Sequence, residues 1–77
     1  MRTYVTRDIR LAVALFSAGH NLLNVDKSNP RRAVFVFEHD SDIDNHVGLF
    51  FMHKLMLDSL SVLENLKSLK DMLYAGV

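Results

Sequence analysis

The sequence predicts an α+β fold: a helix, an antiparallel β-hairpin and two further helices, forming a small single layer of sheet covered by helices. Three observations predict it. Arg32–Glu38 sets Ala33, Val34, Phe35, Val36 and Phe37 in succession, a strand-like composition with no polar side. Ile9, Ala12, Val13 and Phe16 recur at i, i+3, i+4 and i+7, which is one face of a helix. Val62, Leu63, Leu66, Leu69 and Leu73 do the same near the other end.

In chain order, Tyr4 and Val5 form either a short leading strand or a segment folded back on the core. Thr6 reads as the N-cap of a first helix over about 7–18, with Asp8 in its first turn, where the helix dipole favours an anion. Leu11 and Leu15 widen its apolar face, and Gly19 is suited to the left-handed position that ends a helix. Leu23 and Val25 alternate with polar neighbours, as in a half-buried edge strand. Ser28, Asn29 and Pro30 mark a turn, after which Arg32–Glu38 returns antiparallel as the central strand. Ala33, Phe35 and Phe37 point one way and Val34 and Val36 the other, so both faces need cover or a partner chain supplies one.

Asp40, Ser41 or Asp42 caps a second helix, about 42–53, with Ile43, Val47, Phe50 and Phe51 as its stripe. Leu55, Met56 and Leu57 either continue that helix or form a short strand. Asp58 or Ser59 caps the last helix, about 59–74, and Gly76 lies past its end.

Residues 1–77 make one small domain, near the lower limit for folding without staples. There is no cysteine, hence no disulfide framework. No apolar run reaches the roughly 20 residues of a membrane span, and the start lacks the apolar run of a signal peptide. The chain reads as soluble and cytoplasmic. Apolar residues make up 49% of it, more than so small a domain can hide. The excess predicts self-association as a homodimer, through Val34, Val36, Phe50 and Phe51, or contact with another protein.

Net charge is zero but unevenly spread. Residues 1–37 carry six basic groups (Arg2, Arg7, Arg10, Lys27, Arg31, Arg32) against Asp8 and Asp26. Residues 38–77 carry seven acidic groups against Lys54, Lys67 and Lys70. Either the halves attract each other within the fold, or the six basic residues form a surface for nucleic acid or an acidic partner.

Motifs for chemistry are weak. Asp40, Asp42 and Asp44 have the spacing of a calcium loop's start, but Asn45 and Phe51 stand where that loop needs Gly and Glu. Helix capping accounts for the carboxylates. His39, His46 and His53 are seven apart, too far along a helix for one metal, and read as surface or interface histidines. Arg31–Phe37 lacks the glycine of an RNA-stacking strand, so Phe35 and Phe37 read as core. No serine sits in a nucleophile elbow, and Gly19, Gly48 and Gly76 are scattered rather than gathered in a phosphate loop. The expectation is a non-enzymatic interaction module without a cofactor. The alternatives are a nucleic-acid accessory protein and a small-ligand binder with its site between two copies.

Thr6-x-Asp8 leading into Leu11-Ala12, then Gly19-His20, Phe35-Val36-Phe37-Glu38 and Leu66-Lys67-x-Leu69-Lys70 recur as a set. On these features the chain resembles small domains of unknown function encoded by bacteria and their phages. It departs from them at Lys54–Leu57, where they have a short glycine-containing loop. The resemblance implies an origin in a phage or mobile element and a host-cytoplasmic location, and it implies no activity.

Overall fold

A computed structural model describes residues 2–29 and 32–74. The order of elements is β1 (Thr3–Thr6), α1 (Ile9–Ser17), β2 (Leu22–Asp26), β3 (Val34–Glu38), α2 (Ser41–Phe51) and α3 (Ser59–Tyr74). About 51% of it is helix and 20% strand, an α+β fold as the sequence predicts.

The sheet has three strands rather than the two of the predicted hairpin, in the order β1-β3-β2 and antiparallel throughout. Tyr4 and Val5 form the leading strand. Burying β3 leaves a row of N–H and C=O groups on each of its edges, and both rows need partners. β2 satisfies one and β1 the other, so Arg32–Glu38 supplies the central strand.

The inner face of the sheet carries Phe35 and Phe37, both essentially without solvent contact. Tyr4 and Thr6 of β1 and Leu22 and Val25 of β2 are in register beside them. Leu11, Leu15, Ile43 and Leu69 close over this face as one buried cluster, so all three helices lie on the same side. β2 is irregular between Leu22 and Asn24, which turns Leu22 inward and leaves Leu23 exposed. The simple alternation predicted for Leu23 and Val25 fails for that reason.

Burial on α1 is wider than a stripe: Leu11 to Leu15 are all buried. α2 and α3 each pack along α1, while its remaining side faces the sheet. The helix starts two residues later than predicted. Asp8, not Thr6, is the N-cap, accepting from the Arg10 N–H at 2.8 Å. Thr6 Oγ1 accepts one step earlier, from the Asp8 N–H. Asp40 caps α2 through the N–H groups of Asp42 and Ile43, and Asp58 precedes α3 and accepts from the Ser61 N–H.

Two helices end in the same device. Gly19 (φ 98°) donates to Phe16 and His20 donates to Leu15, closing α1. His53 (φ 57°) donates to Phe50 and Lys54 to Leu49, closing α2. Lys54–Leu57 is therefore neither more helix nor a strand but an irregular connection, with Leu55 and Leu57 half-buried. A side chain in the left-handed region costs about 1–2 kcal/mol unless the residue is glycine. Gly19→Ala should lower the unfolding free energy by about 1 kcal/mol, and His53→Gly should raise it by a similar amount. Urea titration of the two variants measures both.

Pro30, Arg31 and Gly76 fall outside the described residues.

Candidate interaction surfaces

Two surfaces are left uncovered by the fold, one on each layer. The first lies on the helical side. Arg10, Val13 and Ala14 of α1 floor a groove of about 430 Å³. Phe50 of α2 walls one side, Val62 and Leu66 of α3 the other, and His53, Leu55 and Leu57 close the end. The lining is apolar except for Arg10 and His53. The groove exists because α2 and α3 lie along α1 with the short Ala14 between them.

One or two positions along the chain from groove-lining residues stand large apolar side chains facing solvent. Phe51, Met52, Leu60 and Leu63 are each more than half exposed, and Met56 is 90% exposed. Periodicity predicts Phe51 and Leu63 on the buried stripes of α2 and α3, and the structure exposes both. Phe51 is one position past Phe50, so when Phe50 turns toward α1 its neighbour turns away.

The second surface is the open face of the sheet. Val5 pairs with Val36 and Asp26 with Val34 on this side. Val34 and Val36 are half-buried, and Val5 and Leu23 are exposed. A single molecule thus covers one face of β3 and leaves the other open. Of the four residues predicted for self-association, Val34 and Val36 lie here, whereas Phe50 and Phe51 lie on the helical layer. They do not form one patch.

The predicted basic set is also divided. Register puts Thr6, Asp26 and Val34 at one end of the sheet, so Arg7, Lys27 and Arg32, which adjoin them, gather there. Lys27 Nζ donates to the Met72 carbonyl of α3. Arg2 adjoins Thr3, which pairs with Glu38 at the opposite end. Arg10 sits on the groove floor, 3.4 Å from Asp8. Arg31 is outside the described residues. The far end of β3 carries Glu38 and runs into Asp40, Asp42 and Asp44. Three basic groups thus gather at one end of the central strand, beside Asp8 and Asp26, and four carboxylates follow its other end, beside Arg2.

A pair of histidines ties the helical layer together. His20 is buried, and its Nε2 lies 2.6 Å from His46 Nδ1. A hydrogen bond here needs one ring nitrogen to donate and the other to accept, so the tautomers of the two rings are coupled. His20 Nδ1 faces Asp40 Oδ2 at 3.6 Å. The arrangement fastens the turn after α1 to the start of α2. Desolvation pushes the Asp40 carboxyl up, but the N–H groups of Ile43 and Asp42 and the neighbouring His20 outweigh it and hold it below the usual range. His39 is paired separately, with Asp44 at 3.2 Å. Among the described residues, no three His, Asp or Glu side chains are grouped to hold a metal ion.

The family model DUF5659, a domain of unknown function, fits residues 1–75. The chain belongs to that family. No curated protein and no solved structure matches it. The likeness to small domains of unknown function thus holds at the level of the family. In this DUF5659 domain, no described helix is long and apolar enough to cross a membrane.

The residue the sequence did not mark is His20. It follows Gly19, and the position after a C-terminal glycine commonly folds back against the last turn. That rule signals burial of residue 20 in the DUF5659 domain. Its partner 26 positions away carries no local signal.

Proposed function

We propose that this DUF5659 domain is a non-enzymatic interaction module of phage or mobile-element type, homodimeric, acting in the host cytoplasm by binding a host or viral protein. One observation carries the reading: the apolar groove on α1, with Phe51, Met52, Met56, Leu60 and Leu63 exposed close to its lining residues in the chain. Single exposed apolar residues are ordinary, but five on the segments that line one concave apolar site favour a protein partner. A segment with two or three apolar side chains at helical spacing would fill such a groove. The phage or mobile-element origin rests on the resemblance set out from the sequence, and neighbouring genes of that kind would support it.

The test replaces surface residues only. Met56→Lys with Leu60→Lys should leave the circular dichroism spectrum unchanged, since both residues are exposed. The doubly substituted protein should fail to retain, from cells producing the native chain, a partner that the wild type retains. Equal retention by both would remove the groove from the reading.

A second reading, a nucleic-acid accessory protein, is favoured by the gathering of Arg7, Lys27 and Arg32 at one end of the sheet. It requires binding to labelled DNA or RNA that weakens steeply with added salt. No binding at low salt rules it out.

A further inference from the structure

We infer that a second copy of the chain covers the open face of the sheet, with the two β3 strands crossing antiparallel about a two-fold axis near Phe35. The inference rests on the reading of the chain as a self-associating module and names the seam. β3 and its approach read Arg32, Val34, Val36 and Glu38 at every second position. Val34 and Val36 lie on the open face, and Glu38 follows them there by the alternation of the strand. Arg32 is exposed at the mouth of the strand.

A two-fold axis makes a contact self-complementary: if residue i meets residue j, then j meets i. Antiparallel stacking centred on position 35 sets Val34 over Val36 of the other copy and Arg32 against Glu38, each twice. The pattern of base, apolar, apolar, acid is the one such an axis requires. Parallel stacking would set Arg32 against Arg32 and Glu38 against Glu38. Val5 and Asn24 flank Val36 in register, so Val5 extends the apolar centre on one side and Asn24 borders it on the other. Asp26, also on this face, accepts from the Ser28 N–H and hydroxyl, and Glu38 accepts from the Asn21 side-chain amide through Oε2, so it is the other oxygen of Glu38 that meets Arg32 of the second copy. Two sheets stacked in this way close a core of the usual sandwich thickness. The mid-chain strand then has cover on both faces, one from its own helices and one from its copy.

Charge reversal tests the seam. The wild type should sediment as a dimer at micromolar concentration. Arg32→Glu alone faces Glu38 with a second carboxylate at two places, and Glu38→Arg alone faces Arg32 with a second guanidinium. Each should weaken self-association at least about tenfold. Mixing the two variants should restore a dimer containing one of each, because every cross-contact is again of opposite charge. Recovery on mixing also shows that neither variant had simply failed to fold. Val36→Lys, on the open face, should give a monomer that no mixing rescues. A wild-type dimer unmoved by these three changes would overturn the seam and leave the homodimer standing. A wild-type monomer at millimolar concentration would overturn seam and homodimer together, while the groove keeps its own test.

Discussion

Phe37→Ala should leave this protein with about 2 kcal/mol of stability or less at room temperature. Phe37 is fully buried at the centre of the sheet, in register with Tyr4 on one side and Leu22 on the other. It packs in the cluster that joins Leu11 and Leu15 of α1, Ile43 of α2 and Leu69 of α3. Truncating a phenylalanine at such a site costs about 3–5 kcal/mol, part lost transfer energy and part unfilled cavity. Small domains sit near the bottom of a stability range that starts at about 5 kcal/mol. Three layers of contact lose their common member at once, so relaxation from one side cannot refill the space. Urea unfolding of the variant should begin at the lowest denaturant concentrations, with a midpoint far below that of the wild type.

Val36→Ala is the control. It stands next to Phe37 but on the open side, half-buried. It should cost about 1 kcal/mol or less in unfolding at concentrations where the protein is monomeric. If the two variants lost similar stability, the placement of the core on one side of β3 would be wrong.

Acid should unfold the protein through its helix caps. An aspartate stands before each of the three helices: Asp8, Asp40 and Asp58. All three carboxyls are held below the ordinary value of 3.8. For Asp8, desolvation acts against the shift, and hydrogen bonds and charge from Arg10 together with the Leu11 N–H outweigh it. For Asp58 the Ser61 N–H and hydroxyl are the cause. A carboxyl with a depressed folded value contributes its full stabilisation above the unfolded value and loses it as pH falls through the folded one. The three losses set in together, so unfolding free energy should fall as pH drops below the ordinary carboxyl value of 3.8.

Asparagine caps a helix about as well as aspartate but does not titrate. The triple variant Asp8→Asn, Asp40→Asn, Asp58→Asn should therefore fold normally at neutral pH and lose less stability in acid. Asp26, also held low by Ser28, keeps part of the acid sensitivity in the variant. Urea titrations at several pH values compare the two proteins, and parallel curves would remove the caps as the cause.

The helix spans and their ends were readable because short-range rules set them. Asp40 satisfies N–H groups two and three residues away, and Gly19 turns the chain within one residue of the helix end. The last helix was placed at the residues it occupies, since Asp58 and a periodic run of leucines bound it. His53 broke the glycine rule, which is why the junction after α2 was left open between helix and strand. The candidate sites were less readable. Periodicity placed Phe50 and Phe51 together, although only the contact of α2 with α1 decides which of the two turns inward. It grouped six basic residues by sequence, whereas strand register sends Arg2 to one end and Arg7, Lys27 and Arg32 to the other.

The sequence by itself determined the α+β class and the central place of the Arg32–Glu38 strand, and it narrowed the caps of the last two helices to Asp40 or its neighbours and to Asp58 or Ser59, because these depend on residues a few positions apart; at the first helix it pointed to Thr6, where the structure has Asp8. Only the tertiary structure decided which side of that strand stays open, where the groove on α1 forms and that His20 meets His46. Those outcomes depend on how elements far apart in the chain pack, and the free energy of burial is the same whichever neighbour supplies the cover.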